Sequence, residues 1–270
     1  MKVWAVANQK GGVGKTTTTV SLAGLLASWS RPTLLVDLDP HGSLTSYFGF
    51  DPDTIQHSIF TVFSRASKGK ESDPLPLVRP TETEYLDLLP SSTALATLER
   101  QAGMRDGMGL VLARTLKRLE KRYDHVLVDC PPMLGVLMVN ALAACDQLIV
   151  PVQTEFLAMK GLERMLHTLQ MILRARGSSL RCTILPTLYD QRTRASVDTL
   201  RQLRESYPDK IWSSVIPVDT QFREASKLGL PPPVHSPNGR GVRAYTELLH
   251  DLLQDEQTAN QELPKKVSAQ

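Results

Sequence analysis

The chain has 270 residues, 41% of them hydrophobic and 22% charged, with a formal net charge of +3 and a pI near 8.7. That length suits one large α/β domain with a sizeable core, and the mild positive charge permits a weak nucleic-acid surface without requiring one. No apolar run reaches bilayer length, the first core strand leaves no room for a signal peptide, and Cys130, Cys145 and Cys182 lack the spacing of a zinc or redox pair, so a soluble cytoplasmic protein with reduced core cysteines is expected.

In chain order, Val3 to Ala7 reads as a short buried strand, and Asn8 to Thr17 follows it as a glycine-rich turn. Glycines between a strand and a helix leave backbone N–H groups converging with no Cβ to keep a ligand away, and the helix adds its positive end. This is a phosphate cradle formed by Gly11, Gly12, Val13 and Gly14. Lys15 reaches the outer phosphates, and the Thr16 hydroxyl, beside Thr17, suits the Mg²⁺ that bridges them. The usual pattern departs at its first glycine, where Gln9 stands, and a second lysine, Lys10, opens the glycine run.

The apolar spacing predicts a helix over Thr16 to Trp29, then a buried strand over Thr33 to Pro40 ending in Asp37 and Asp39. A continuous aliphatic strand reached through a helix implies a parallel sheet covered on both faces, with its acids at the carboxyl end where such sheets place ligands. Further along, a helix is expected around Ile55 to Arg65, a surface loop at Ser67 to Pro76, a strand at Tyr85 to Pro90, and helices over Ser91 to Ala102 and Leu110 to Tyr123. His125 to Asp129 is a second aliphatic strand ending in an aspartate, placed to hold the Mg²⁺ shell. Strands at Gln147 to Val152, Cys182 to Leu188 and Ser214 to Pro217, a long helix from Leu157 to Arg176 and a last helix from Val242 to Leu253 complete the set. A single domain over residues 1–253 is expected, with the polar stretch Gln254 to Gln270 disordered.

Together the two lysines of the loop, the Asp37/Asp39 strand end and Asp129-Cys130-Pro131-Pro132 resemble the ParA/MinD family of ATPases with a deviant Walker A motif, here Lys10-Gly11-Gly12-Val13-Gly14-Lys15-Thr16-Thr17. The resemblance covers nearly the whole chain, including Pro151 to Glu155, Leu188-Tyr189-Asp190 and Ile216-Pro217 followed by Arg223-Glu224-Ala225-Ser226. It implies a P-loop fold of three layers around a mostly parallel sheet, with ATP and Mg²⁺ as cofactors. It further implies an ATP-dependent homodimer in which Lys10 reaches the phosphates held by the other subunit. Lys10, Lys15 and Asp39 are then catalytic, Asp39 orienting water. Thr16, Asp37 and Asp129 surround the metal. Tyr189, Asp190, Pro217 and Val218 lie near the adenine. The family commonly continues Asp-Pro with Gln, where this chain has His41.

The family positions cargo along a track and is reset by a partner such as a ParB-like protein or a chemotaxis adaptor. Arg192, Arg194, Arg223 and Lys227 are candidate contacts to non-specific DNA, while two arginines that often follow Ile-Pro in chromosomal relatives are replaced by Val218 and Gln221. The last helix is acidic outside, unlike a basic membrane-targeting helix, so membrane insertion is not expected. The competing readings are a metabolic P-loop ligase or amidase, an iron–sulfur ATPase and a DNA-binding scaffold without turnover.

Overall fold

A computed structural model describes residues 1–102, 107–176 and 180–262. Strand β1 (Lys2–Val6) alternates Val3 and Ala5 toward one core with Trp4 and Val6 toward the other, and each core is apolar. Both faces are covered, which is why the strand reads as an unbroken hydrophobic run rather than as an alternating one. The same holds for β2 (Thr33–Asp37) and β5 (His125–Asp129), all of whose residues are buried.

Those strands sit in the middle of a seven-stranded sheet of order β3-β4-β2-β5-β1-β6-β7. Strands β4 (Leu86–Leu89), β6 (Gln147–Gln153) and β7 (Arg181–Thr187) run parallel to their neighbours, and the two-residue β3 (Arg79–Pro80) pairs antiparallel at one edge. Parallel register places Asp37 of β2 opposite Asp129 of β5 at the carboxyl ends. The loop after β1 leaves the sheet at the same edge, because β1 is paired with β5 up to Val6 and Asp129.

One face is covered by α1 (Lys15–Ser28) and α11 (Arg240–Glu262), joined by a 2.8 Å hydrogen bond between the Thr18 and Tyr245 hydroxyls. Also on the chain are α2 (Ser43–Tyr47), α8 (Arg194–Ser206), α9 (Gln221–Leu228) and α10 (Pro232–His235). The opposite core gathers α3 (Ile59–Ala66), α4 (Leu95–Ala102), α5 (Val111–Lys117), α6 (Val136–Ala144) and α7 (Phe156–Arg176).

Several sequence expectations are corrected. The helix expected over Leu110 to Tyr123 ends at Lys117; beyond it Arg118, Leu119 and Arg122 donate to carbonyls three residues back, so buried Leu119 and Tyr123 belong to tight turns. Apolar spacing does not separate these two geometries. The expected helix over Ser91 to Ala102 begins only at Leu95, and that around Ile55 begins at Ile59. Ser214 to Pro217 forms no strand but a single bridge from Pro217 to Tyr189, and Pro217, lacking an N–H, cannot extend it. Disorder from Gln254 fails for the described part: α11 continues to Glu262, and Glu256 is only 8% exposed. Its carboxylate accepts the Trp4 indole N–H at 2.7 Å, a contact spanning 252 positions that no local pattern signals. Residues 263–270 lie outside the described residues.

Candidate nucleotide-binding site

The loop between β1 and α1 is shaped by its glycines. Gly12 and Gly14 adopt φ of +74° and +90°, in the left-handed region that a side chain disfavours. The loop is anchored on both sides. Asn8 donates its amide to the Pro151 carbonyl at 2.7 Å and accepts the Lys10 backbone N–H at 3.0 Å, and the Thr187 hydroxyl donates to the Val13 carbonyl at 2.8 Å. Neighbouring strands β6 and β7 thus hold the loop that β1 delivers.

Lys15 turns over this loop, its Nζ donating to the Lys10 carbonyl at 3.3 Å. Lys10 turns outward instead: its ammonium pairs with Glu155, two residues past the end of β6, and lies 3.5 Å from Oε1 of Gln153, the last residue of that strand. The exposed side chains of Phe156 and Leu157 follow directly.

The acidic residues divide by what they touch. Asp37 is fully buried; Oδ1 accepts the Asp39 N–H at 3.0 Å, and Oδ2 accepts both the Thr45 N–H at 2.8 Å and its hydroxyl at 2.7 Å. Burial, with help from nearby Asp129, pushes its carboxyl up to about 8 against the Thr45 hydrogen bonds. Asp129 Oδ2 accepts the Thr16 hydroxyl at 2.6 Å, whereas Oδ1 is buried with no hydrogen-bond partner among the described residues. Burial raises the Asp129 carboxyl to about 7, opposed by Thr16 and by the Lys15 charge. An orphaned carboxylate oxygen beside a threonine hydroxyl is the oxygen donor set a hard divalent cation takes. Thr16 and Asp129 therefore fit Mg²⁺, and Asp37 is spent on its own loop. Asp39, nearly buried, uses Oδ1 for the His41 N–H at 3.0 Å and the His41 ring Nδ1 at 2.9 Å, while its carbonyl accepts the Ser91 hydroxyl at 2.6 Å.

The segments expected near the adenine also meet. Tyr189 N–H donates to the Ile216 carbonyl at 3.0 Å and Val218 N–H to the Tyr189 carbonyl at 3.2 Å. With Asp190 and Pro217 they line a cavity of about 1120 Å³. Leu188, at φ +53°, turns the chain into it. Arg192 pairs with Asp190 at 2.7 Å and, chiefly by that hydrogen bond, holds its carboxyl down at about 2.

Three of the DNA candidates, Arg194, Arg223 and Lys227, do not join this cavity. Arg223 and Lys227 line a separate hollow of about 460 Å³ with Thr16, Thr17 and Tyr47, and Lys227 lies 3.3 Å from Glu224. Arg194 is exposed and 3.5 Å from Asp198. Sequence reasoning missed Glu155 as the partner of Lys10, Thr45 as the partner of Asp37 and Ser91 as the tether of Asp39. Only Glu155, two residues past a strand end, carried any local signal.

A strand, a glycine cradle with two lysines, a helix, and a Thr–Asp pair for a cation define a P-loop nucleotide-binding protein. The AAA_31 family model, an AAA domain, matches residues 1–182, and the chain belongs to that family, as a ParA/MinD-type ATPase with ATP and Mg²⁺ as cofactors. The sporulation initiation inhibitor protein Soj of Bacillus subtilis is 32% identical over 252 residues, 93% of this chain and 98% of that protein. The chromosome partitioning protein ParA of Myxococcus xanthus is 32% identical over 253 residues, 93% of this chain and 88% of that protein. Among solved structures, cobyrinic acid a,c-diamide synthase from Mycobacterium smegmatis with bound ADP and magnesium aligns with a TM-score of 0.80 at 36% identity, covering 96% of each chain. McdA from Cyanothece aligns with a TM-score of 0.79 at 22% identity, covering 92% of this chain and 99% of that one, a likeness of fold. No helix among the described residues is long and apolar enough to cross a membrane.

Proposed function

We propose that this ParA-type ATPase is a slow, partner-stimulated switch whose ATP-bound homodimer positions a cargo. The observation that carries the reading is the orientation of Lys10. Its ammonium is held at the rim of the site by Glu155, beside exposed Phe156 and Leu157, while Lys15 alone covers the loop. Two facing loops that each carry Lys10 and Lys15 repel once Lys10 leaves Glu155, and a pair of triphosphates between them turns repulsion into attraction.

Within one subunit the roles follow from the contacts. The loop N–H groups and Lys15 bind and neutralise the phosphates. Thr16 and Asp129 hold Mg²⁺, which when bound supplies charge neutralisation on the phosphate oxygens. Asp39, its Oδ1 fixed by His41, keeps Oδ2 for orienting water. Asp37 stiffens the turn that presents Asp39. The buried Thr45 and Ser91 contacts hold that turn in one geometry, as in-line attack requires.

The cargo is DNA or a protein cluster, consistent with relatives that partition chromosomes, and a basic partner-facing surface at Arg192, Arg194, Arg223 and Lys227 would associate the dimer with nucleoid DNA. Size-exclusion chromatography with Mg-ATP tests the switch. Asp39→Ala is expected to accumulate dimer, and Lys10→Ala to remain monomeric while retaining ATP binding; unchanged dimerisation of Lys10→Ala rejects the cross-subunit role. An amide-forming reading draws on the 36% identical synthase structure. It requires an acid substrate, so ATP turnover with no added carboxylic acid counts against it.

A further inference from the structure

Helix α4 runs between the two loops that carry the site's carboxylates. Just before it, Ser91 donates its hydroxyl to the Asp39 carbonyl at 2.6 Å and its N–H to Thr45 Oγ1 at 2.8 Å. In its second turn, Glu99 lies over the backbone where α6 begins. A Cβ placed on Gly135 would sit 2.1 Å from Glu99 Oε1 and 2.8 Å from its Cδ. Gly135 is the residue preceding α6, so the Glu99 carboxylate packs against the backbone where that helix begins. Oε1 is buried with no hydrogen-bond partner among the described residues.

An orphaned, half-buried carboxylate is costly, so its placement calls for a reason. Residues 130–135 are the whole connection from Asp129 to α6, and Glu99 grips its far end. The near end is Asp129 itself. Through Ser91 in the loop before α4 and Glu99 on the helix, the segment 91–99 therefore ties the Asp39 loop to the Asp129 loop.

We propose that Glu99 is a positioning residue for ATP turnover: by seating its carboxylate on Gly135 at the start of α6, it fixes the loop after Asp129 relative to Asp39. Burial pushes the Glu99 carboxyl up, the Leu137 N–H opposes this, and the charge of Asp39 adds to the rise, which places Asp39 within electrostatic reach. The proposal rests on the ATPase reading above.

Gly135 offers a second handle on the same contact. Its φ of −109° suits alanine, and the three atoms nearest a Cβ there all belong to the Glu99 side chain, so Gly135→Ala displaces it. The test is Mg-ATP turnover of the full chain for wild type, Glu99→Ala, Glu99→Gln, Gly135→Ala and the Glu99→Ala/Gly135→Ala double variant, with thermal midpoints and hydrogen–deuterium exchange over residues 131–139. Glu99→Ala and Gly135→Ala are expected to lower kcat about tenfold with KM for ATP within about twofold, the signature of lost positioning rather than lost binding. Exchange over 131–139 rises in both. Glu99→Gln, which keeps the acceptor, retains kcat within about threefold, and the double variant is no worse than the poorer single because both remove one contact. Wild-type kcat in either single alanine variant, a double variant falling by the product of the two, or a loss in Glu99→Gln equal to that in Glu99→Ala overturns the proposal. So does a fall in kcat matched by loss of nucleotide binding and thermal midpoint, since that is general destabilisation. If wild type itself fails to hydrolyse ATP, the ATPase reading fails, and exchange alone decides Glu99: a rise in Glu99→Ala and Gly135→Ala but not in Glu99→Gln supports the clamp, and any other pattern overturns it.

Discussion

The same two central strands, β1 and β5, carry a buried carboxylate cluster at each end, and the two clusters are built to opposite specifications. At the amino end, Glu256 of α11 accepts the Trp4 indole N–H at 2.7 Å and lies 3.7 Å from His125 Nε2, too far for a hydrogen bond but close enough for an ion contact. Burial alone would raise the Glu256 carboxyl, yet His125 and Trp4 more than reverse it. At the carboxyl end, Asp129 has one oxygen on Thr16 and the other without a hydrogen-bond partner among the described residues, and burial leaves its carboxyl raised to about 7. A carboxylate completed by the protein closes the structure, whereas one left incomplete waits for a cation. Trp212, whose indole N–H donates to Asp251 of α11 at 2.8 Å, extends the closed end, and the positive-φ glycines extend the open one.

The strongest way to break this contrast is at the open end. Lys15→Ala removes the lysine folded over the phosphate loop and is expected to lower ATP turnover by at least about 100-fold, with the thermal midpoint of the nucleotide-free protein nearly unchanged. Normal steady-state activity in that variant would dispose of the site. At the closed end the effects reverse. Glu256→Ala strands the Trp4 N–H and uncovers His125, at a cost of about 2–3 kcal/mol by urea unfolding, while kcat per folded molecule stays within about twofold.

A pH series sharpens the contrast further. Because the folded-state pKa values of Asp129 and Asp37 are raised to about 7 and 8 from 3.8, the folded protein binds more protons than the unfolded chain above about pH 4. Their contribution to stability is thus fully present below that pH and is lost as pH rises through 7 to 8. The nucleotide-free protein should lose thermal stability between pH 5 and 8 for this reason, Asp129→Asn should flatten that loss, and Mg-ATP should oppose it by supplying the missing charge. A wild-type profile identical to that of Asp129→Asn would mean Asp129 titrates normally. The smallest effect is expected far from both clusters: Arg194→Ala breaks an exposed 3.5 Å pair with Asp198 and should shift stability by less than about 0.5 kcal/mol. Retention on DNA across a salt series separates that structural indifference from a role on a track, since a lost phosphate contact weakens binding and lowers its salt dependence.

Much of the open end was legible from residues alone. The phosphate loop, Asp37, Asp39 and Asp129 are short-range signals, a run of aliphatics followed directly by glycines or an acid, and their order along the chain already implies a parallel sheet with its ligands at one edge. Their division of labour was not legible. Asp37 and Asp129 are equivalent in sequence, each the last residue of a buried strand, yet Thr45 and the Asp39 N–H occupy one while the other keeps a free oxygen.

The closed end left no trace in the sequence. Gln254 onward is polar without apolar spacing, and only the folded chain brings Trp4 and His125 to Glu256 and buries that one side chain on an otherwise exposed helix end. The turns at Leu119 and Tyr123, and the bridge at Pro217, escaped for a related reason, since apolar spacing reports which side is buried and not which backbone bonds form. By itself the sequence determined the class of ligand, because a phosphate cradle is built from consecutive backbone groups and needs only local glycines. Tertiary structure decided which carboxylates are finished and which are open, including Glu99 on Gly135, because a buried charge takes its character from partners that the chain supplies from dozens or hundreds of residues away.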